Sequence, residues 1–425
     1  MRIVVAGATL STATMVYASY LGTTAQLASV MLASLLGGLV AVHVFRSPRL
    51  DQLGVWPIFG LALGLHLLAL AGKPILEDDY YRYMWDAFRF ATDGTPYRAA
   101  PAAYFTDATV PPVFQEILNF INYPEIPTIY GPVLQLLFLA GYAIAPGNVA
   151  PLQLLNVGIT LSTLILLARC GAKPRWLLLY AISPLVLKEA VITAHPDALT
   201  GFLALGAFAV GGPLSAWIAG SLLGLAVASK VSVAILLPFL WFRGGIRAIA
   251  AAVITLSACY LPFYWLAGSD MPTLSQFAQN WRFNPLFYAA LDWLAGSTAG
   301  RLIAAAAIVA IATTLYWRDA RAGHNRPGIP PADYALGTVL LFSPVVNPWY
   351  LLWLLPFAVL RPSRTAWTAT FLLPLSYWNG TNWNIGSAHE FDMPMVVTLV
   401  ELTALAIAAW YDHARPIPSR QHIIL

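Results

Sequence analysis

Three adjacent carboxylates, Glu77, Asp78 and Asp79, are the residues of this sequence with the clearest potential for chemistry. They directly follow an apolar run, and acids this close repel one another unless a cation or a proton lies among them. One interpretation is a solvated helix N-terminus, where acids meet the helix dipole and Asp78 pairs with Arg82 one turn later. The other is a catalytic cluster in which one carboxylate accepts a proton from a substrate.

Further ionisable and polar residues fall at the same predicted membrane level. They are Lys188 and Glu189 at the end of one apolar run, His195 and Asp197 in the next turn, Lys230 between two short runs, and Asn347, Trp349 and Tyr350. An ionisable group in a spanning helix costs about 2.5–3.5 kcal/mol near the bilayer centre and is usually paired or functional. Lys230 is therefore either a residue that binds phosphate or a lysine whose side chain snorkels to the membrane–water interface. His195 and Asp197 are either site residues or turn residues that begin a helix, and Lys188 and Glu189 are either site residues or two groups at the membrane edge.

The composition of the sequence indicates what class of protein positions these residues. Of 425 residues, 59% are hydrophobic and only 10% are charged, which excludes a soluble globular protein. The net charge of +4 comes from residues in short loops between apolar runs, so we expect no nucleic-acid partner. Two cysteines offer neither a disulfide framework nor a CxxC site, and Walker, GxGxxG and HExxH motifs do not occur. We therefore expect no nucleotide cofactor, and the need for a divalent metal stays open.

Apolar runs recur along the whole sequence and predict an all-α, polytopic transmembrane bundle of about 12–14 membrane helices, with 1–425 as a single integral membrane domain. The runs are 3–22, 25–45, 52–72, 150–168, 176–193, 197–212, 214–229, 231–242, 247–267, 299–317, 333–345, 348–360, 365–380 and 394–412. We predict that the first run is a retained helix and not a cleaved leader. There is a further apolar run at 130–145. The loops along the chain obey the positive-inside rule only if this run does not span the membrane.

Most of the 23 basic residues then lie on one side, which the positive-inside rule assigns to the cytoplasm together with both termini. The same side holds Asp51, Asp319, Asp333 and Asp412, and nearly all the other acids lie outside. The predicted outer loops are 73–149, which holds the acid cluster, 268–298, and a shorter one at 381–393. The sequence therefore predicts a multi-pass protein of the cytoplasmic membrane with its site on the outer face.

The first outer loop carries two amphipathic patterns. Over 78–93, Tyr81, Met84, Trp85 and Phe88 share one stripe, while Asp79, Arg82, Asp86, Arg89 and Asp93 share another. Over 112–122, Phe114, Ile117, Leu118 and Ile121 oppose Gln115, Glu116, Asn119 and Asn122. Both patterns predict helices that lie on the membrane surface. Trp281, Trp378 and Trp383 in the outer loops either stack on sugar rings or belong to an interfacial aromatic belt.

Carboxylates on the outer face without a nucleotide site fit transfer of a sugar from a polyprenyl-phosphate carrier, since nucleotide sugars are normally cytoplasmic. An inverting transfer needs one carboxylate as general base and cations that hold the leaving phosphate. The sequence supplies both kinds of group on one face.

Several motifs resemble those of GT-C integral membrane glycosyltransferases, especially the bacterial polyprenyl-phosphate-mannose-dependent mannosyltransferases. They are Glu77-Asp78-Asp79-Tyr80-Tyr81-Arg82-Tyr83-Met84-Trp85-Asp86, Gly94-Thr95-Pro96-Tyr97, Tyr123-Pro124-Glu125-Ile126-Pro127-Thr128-Ile129-Tyr130-Gly131-Pro132, Ser183-Pro184-Leu185 through Lys188-Glu189, His195-Pro196-Asp197 and Asn347-Pro348-Trp349-Tyr350-Leu351-Leu352-Trp353. The resemblance covers roughly residues 73 to 360. It implies a GT-C helical bundle in which two surface helices of the first loop cover the active site.

The resemblance also implies roles for single residues. Asp78 is the expected base and Asp79 the second choice, and Lys230 is the expected contact to the donor phosphate, with help from Arg82 or His195. The expected substrate-binding residues are Glu77, Tyr81, Asp86, Tyr130, Lys188, Glu189, Asp197, Asn347, Trp349 and Tyr350. Relatives tend to read His-Pro-Trp-Tyr where this chain has Asn347; an amide supplies no titratable imidazole at this position, but it can hydrogen-bond a sugar hydroxyl.

The predicted function is transfer of a hexose, with mannose favoured by resemblance, from a polyprenyl-phosphate donor to a glycan or lipid acceptor, with membrane lipids as the surroundings. The alternative is a multi-pass lipid or solute transporter, in which the ionisable residues form a translocation path. A non-catalytic scaffold is a third interpretation, against which the intact acid pair argues.

Overall fold

The protein is all-helical over residues 2–211, 215–321, 328–382 and 393–415, which are the residues described by the computed structural model. These ranges contain no β-strand, and an isolated bridge joins Phe283 to Val345. The predicted all-α class is therefore confirmed. The α-helices are α1 (Arg2–Ala18), α2 (Thr23–Arg46), α3 (Val55–Ala69), α4 (Asp79–Asp93), α5 (Pro112–Leu118), α6 (Pro132–Ile144), α7 (Ala150–Arg169), α8 (Pro174–Ala181), α9 (Asp197–Ala209), α10 (Ser215–Ser229), α11 (Leu237–Leu266), α12 (Met271–Asn280), α13 (Tyr288–Arg321), α14 (Ala332–Phe342), α15 (Leu355–Leu360), α16 (Arg364–Leu372) and α17 (Met395–Ala414).

Shorter helical segments connect several of these helices. A π-helix covers Val186–Ile192. Segments of 3-10 helix cover Pro48–Gln52, Pro101–Tyr104, Val231–Leu236, Pro348–Trp353 and Leu373–Asn382. The predicted outer loop at 381–393 falls almost entirely outside the described residues.

Five described segments are long and apolar enough to cross a membrane, which indicates a membrane protein. They are Thr23–Arg46, Ala150–Arg169, Val231–Leu266, Tyr288–Arg321 and Met395–Ala414. A sixth span results if Val186–Ile192 and Asp197–Ala209, which meet at a bend of 112°, count as one. By length and composition this is fewer than the 12–14 spans that the sequence predicted, because five other apolar helices in the described ranges have only 10–17 residues.

Two of the long helices are broken at a glycine. Gly245 in α11 has φ 59° and ψ −156°, and Gly296 in α13 has φ 78° and ψ 163°. The first break separates the predicted runs 231–242 and 247–267, and the second precedes the run 299–317. The ends of these apolar runs therefore correspond to real interruptions of the helices.

The first outer loop forms the helices that its amphipathic patterns predicted. One face of α4 packs against α5 through Met84, Trp85, Phe88, Phe114, Ile117, Leu118 and Ile121. Another face packs against α6 through Tyr83, Ala87, Leu134 and Phe138. The second helix ends at Leu118, earlier than the predicted 122. At 13 residues, α6 is shorter than the roughly 20 residues that a span requires, which agrees with its predicted non-spanning role.

Ion pairs divide between the two predicted sides without exception among the described residues. The four acids assigned to the cytoplasmic side each pair with an arginine assigned to the same side: Asp51 with Arg175, Asp319 with Arg243, Asp333 with Arg361 and Asp412 with Arg364. The other seven pairs in the described ranges stay within the opposite set, which comprises the first and second outer loops, Lys188 with Glu189, the turn at 195–197 and Lys230. The residues were assigned to the two sides from the sequence alone. The grouping of ion pairs in the structure therefore independently supports a helical bundle with two chemically distinct ends.

A close helix contact places the segment that carries Asn347, Trp349 and Tyr350. The backbone of Gly201 in α9 lies so near the carbonyl oxygen of Leu352 that a Cβ atom would overlap it. Only glycine allows the 3-10 helix Pro348–Trp353 to approach α9 this closely.

We expect Gly201→Ala to lower the free energy of unfolding by about 1–3 kcal/mol, since the added methyl meets backbone and cannot be accommodated by a rotamer change. Gly64→Ala is the matched control, because α3 has open space there and alanine favours the helix by up to about 1 kcal/mol. Thermal unfolding in detergent measures both. An unchanged midpoint for Gly201→Ala would contradict the close packing.

Candidate functional site

A cavity of about 220 Å³ lies between the N-terminus of α4, the C-terminal end of α10 and the segment after α14. Nine of the residues predicted for the site line it: Glu77, Asp78, Asp79, Arg82, Tyr130, Lys230, Asn347, Trp349 and Tyr350. The other six do not: Tyr81, Asp86, Lys188, Glu189, His195 and Asp197. The fold thus collects acids, cations and aromatic rings from distant parts of the chain around one space.

The two aspartates of the acid cluster have different partners. Asp78 immediately precedes α4, and its two carboxylate oxygens accept from the Asn122 amide at 2.6 and 2.7 Å. Asp79 begins the helix, and its Oδ2 accepts from the Tyr130 hydroxyl at 2.9 Å. Both carboxylates are partly exposed to the cavity. The fold therefore holds the pair in fixed positions with room for a substrate.

Arg82 does not pair with Asp78, as one interpretation of the sequence expected. Its Nε lies 3.1 Å from Asp86 Oδ1, and its Nη2 donates to the Ile126 carbonyl at 2.7 Å. Asp86 is buried and also accepts from Gln135 at 3.0 Å. Asp86 thus positions Arg82 and is not placed to bind substrate directly, which corrects its predicted role.

Protonation differs along the acid cluster. Burial, followed by the neighbouring Asp79 charge, raises the pKa of Asp78 to about 7, while the hydrogen bonds from Asn122 oppose the rise. Burial raises the pKa of Glu77 well above its ordinary value. Both shifts favour retention of a proton within the cluster, which relieves the repulsion between adjacent acids. A carboxyl that titrates near the working pH is also well suited to act as a general base.

Lys230 faces the cavity at a break between α10 and the 3-10 helix Val231–Leu236. Its side chain is 19% exposed, and Nζ lies 3.6 Å from Oδ1 of Asp197. That oxygen also accepts from the Trp353 indole N–H at 2.7 Å. The Nζ atom lies 5.0 and 5.7 Å from the ring centroids of Tyr130 and Tyr350. One carboxylate and two aromatic faces thus hold the ammonium group while part of it stays open to a ligand.

Behind the cavity wall lies a buried polar network. Lys188 Nζ donates to Glu189 Oε2 at 3.0 Å and to the Tyr377 hydroxyl at 2.6 Å, and that hydroxyl donates to Glu189 Oε1 at 2.9 Å. Lys188, Glu189 and Asp197 are each at most 1% exposed. These three residues are therefore placed to support the wall and not to touch a substrate, contrary to the predicted direct contacts.

Two further predicted residues also lie away from the cavity. The Tyr81 ring stacks on Phe120 and contacts Tyr80, so it contributes to the packing of α4. The His195 ring is fully buried and stacks on Trp349 at 4.0 Å. This position does not support the direct phosphate contact that was predicted for His195.

Backbone strain is concentrated at the site. Four described residues other than glycine have positive φ angles: Leu76 (58°), Tyr123 (50°), Ala194 (63°) and Asn284 (45°). Leu76 and Tyr123 line the cavity, Ala194 precedes His195, and Asn284 follows the lining residue Phe283. Such conformations cost about 1–3 kcal/mol each and cluster at functional sites. This observation supports a functional role for the cavity independently of any resemblance.

The structure also adds residues that sequence reasoning missed. Asn122 and Tyr377 contact the acids, and Arg282 adds a third cation to the cavity wall, after Arg82 and Lys230. Asn122 and Tyr377 lie 44 and 188 positions from their acidic partners, so no local pattern in the sequence signals these contacts.

Trp281 lines the cavity, Trp378 does not, and Trp383 lies outside the described residues. Among the described residues, no group of three His, Cys, Asp or Glu side chains is arranged to hold a metal.

The buried network predicts a specific order of stabilities. Lys188→Met leaves the Glu189 carboxylate without its cation and should lower the free energy of unfolding by about 3–5 kcal/mol. Lys188→Met combined with Glu189→Gln removes both charges and should cost less. Lys73→Met is the control, at an exposed lysine whose Nζ lies 5.1 Å from the Tyr20 ring centroid, and should cost about 1 kcal/mol or less. Thermal unfolding in detergent gives the order, and equal losses for the single and double variants would contradict the pairing.

In comparisons with known proteins, no family model, curated protein or solved structure matches this chain. The residues of the site and their geometry are therefore the basis for assigning a function.

Proposed function

We propose that the protein is an inverting glycosyltransferase of the GT-C type, which moves a hexose from a polyprenyl-phosphate donor to a glycan or lipid acceptor. The observation that carries the proposal is that one cavity contains both a carboxylate whose pKa is about 7 and a lysine open to ligand. Transfer from a lipid phosphate requires these two groups, a base for the acceptor and a cation for the leaving group. Mannose is favoured as the sugar by the resemblance of the loop motifs alone.

In the proposed reaction, Asp78 accepts the proton of the acceptor hydroxyl. The acceptor oxygen forms a bond to the anomeric carbon of the sugar from the face opposite the phosphate. The bond between that carbon and the phosphate oxygen breaks, and its electron pair leaves with the polyprenyl phosphate. One bond forms and one breaks, the proton resides on Asp78, and the configuration of the sugar inverts.

The leaving phosphate gains negative charge, so it needs a cation that is already in place. Lys230 meets this requirement because Asp197 and two tyrosine rings fix its position before any ligand binds. Arg282 lies on the same wall, is more than half exposed and pairs with Asp292. Arg82 is already committed to Asp86 and the Ile126 carbonyl, so we assign it to shaping the cavity and not to primary phosphate binding.

Aromatic residues supply flat surfaces for a sugar ring. Trp281 packs on Tyr123 at the cavity wall with ring centroids 5.0 Å apart, and Trp349 and Tyr350 lie on the lysine side. Asn347 lines the same wall, where its amide can hydrogen-bond a sugar hydroxyl. We further propose that this end of the bundle faces away from the cytoplasm, in a cytoplasmic membrane with both termini inside. The grouping of ion pairs and the positive-inside rule support this orientation.

A lipid or solute transporter remains the alternative function. The bend of 112° between Val186–Ile192 and Asp197–Ala209 is of the kind found where transporters bind ions and substrates. The assay below separates the two functions, because a transporter would move substrate without forming a glycosidic product.

The base assignment is tested by sugar transfer in proteoliposomes from radiolabelled polyprenyl-phosphate-mannose to a pool of lipid and glycan acceptors. We expect Asp78→Asn to reduce transfer by about 10²- to 10⁴-fold, the range typical of a general base. Asp107→Asn, an acid of the same loop that does not line the cavity, is the matched control and should retain activity. Full transfer by Asp78→Asn would refute the assignment, and movement of lipid without product would favour the transporter.

The hydrogen bonds from Asn122 lead to a pH prediction. In the wild type, transfer should rise with pH as Asp78 loses its proton, with a midpoint near its pKa of about 7. Asn122→Ala removes two hydrogen bonds that favour the carboxylate, so the pKa of Asp78 rises and the midpoint moves to higher pH. Asn119→Ala, at an exposed residue nearby, should leave the midpoint in place. A midpoint that stays or moves to lower pH in Asn122→Ala would contradict the role of Asp78.

A further inference from the structure

The His195 ring lies between two carboxylates, one on each side. Its Nδ1 is 3.2 Å from Glu189 Oε2, and its Nε2 is 4.0 Å from Asp79 Oδ2. The side chain is fully buried and stacks on Trp349, which lines the cavity. His195 thus connects the cavity carboxylate Asp79 to the buried network behind the wall.

The chemistry of the ring limits its charge in this position. A neutral imidazole carries one N–H and one lone pair, whereas imidazolium carries two N–H groups. Because both ring nitrogens face carboxylate oxygens, a neutral ring would turn one lone pair toward an anion. An imidazolium turns an N–H toward each carboxylate, although neither contact has hydrogen-bond geometry, so the two ion-pair distances of 3.2 and 4.0 Å favour the cation.

The surrounding charges lead to the same conclusion. The groups that face His195 are Glu189 on the π-helix, Asp79 on α4 and Asp197 on α9, together with the Tyr83 ring. Lys188 pairs with Glu189, and Lys230 pairs with Asp197. Three carboxylates therefore meet two ammonium groups, and a positive charge on His195 balances the set. Glu189 and Asp197 are buried, whereas Asp79 is 32% exposed to the cavity.

The backbone holds the ring in this place. The His195 N–H donates to the Glu189 carbonyl at 2.8 Å, and the Asn156 amide donates to the His195 carbonyl at 3.2 Å. Ala194, immediately before it, has a φ of 63°, a strained angle that persists only where surrounding contacts enforce it.

We propose that His195 is a positioning residue, an imidazolium that fixes the Asp79 carboxylate beside Asp78 and joins it to the Glu189–Lys188–Tyr377 network. Its effect on the reaction rests on the proposed function, whereas its charge does not. The Asp79 charge is one of the causes that raise the pKa of Asp78, so a fixed Asp79 keeps the base near the working pH. This role replaces the direct phosphate contact that the sequence suggested.

The charge is tested without substrate, by NMR of the ¹⁵N-histidine-labelled full-length protein in detergent at pH 7.5. The signal that disappears in His195→Gln should be that of a doubly protonated ring, whereas an unperturbed histidine, with a pKa of about 6.5, would be mostly neutral. His66→Gln removes another buried histidine, in α3, and should leave that signal unchanged. If His195→Gln does not fold, Asp79→Asn identifies the signal, because loss of one anion should remove the second ring proton. A neutral ring at pH 7.5 would overturn the proposal.

The positioning role is tested by the kinetics of transfer. We expect His195→Gln to lower kcat by up to about 100-fold with little change in the KM for the lipid donor, since a misplaced Asp79 impairs the chemical step. A rise in KM at unchanged kcat would instead indicate phosphate binding and overturn the proposal. Absence of transfer by the wild type would refute the proposed function, and the NMR result would still decide the charge of His195.

Discussion

Charge buried at one end of a helical bundle is the constraint on which the rest of this structure depends. Lys188, Glu189 and Asp197 are almost completely inaccessible to water, and a single buried ion costs several kcal/mol unless partners compensate it. The partners come from other parts of the chain. Tyr377 hydrogen-bonds to both Lys188 and Glu189, and Lys230 forms an ion pair with Asp197. The helices that carry these residues can therefore pack in few other ways without leaving a buried charge unpaired.

The same residues stand where helices are interrupted. The π-helix Val186–Ile192 bends sharply into α9, Lys230 lies between α10 and a 3-10 helix, and Asn347 precedes another 3-10 helix. Interruptions release backbone groups that a regular helix would satisfy internally, and within a membrane they are tolerated only where protein or an aqueous cavity surrounds them. The strained residues around the cavity belong to the same pattern. Fold and site are thus built from one set of irregular elements, which explains why the apolar runs gave more spans than the long helices provide.

Local patterns in the sequence predicted local structure well. The spacing of Met84, Trp85 and Phe88 predicted α4 and its apolar face, because neighbouring residues determine helical periodicity. That face packs against α5, however, and was predicted to lie on the membrane surface. It did not predict which acid would pair with Arg82, since Asp78 and Asp86 are both four positions away. Asp86 forms the pair because it lies inside the helix, one turn after Arg82, whereas Asp78 precedes the helix and accepts from Asn122. The burial of His195 and the contact of Tyr377 with Lys188 depend on packing between distant segments, which periodicity and hydropathy do not encode.

The central claim, that one cavity binds the donor phosphate at Lys230 with the sugar facing Asp78, is tested most directly by the structure of Asp78→Asn in complex with a polyprenyl-phosphate sugar. The variant should keep the cavity and trap the donor. The account predicts the phosphate beside Lys230 and the anomeric carbon of the sugar toward position 78, with the lipid leaving the cavity into the membrane. A donor bound elsewhere on the bundle, or one whose phosphate lies away from Lys230, would contradict the account.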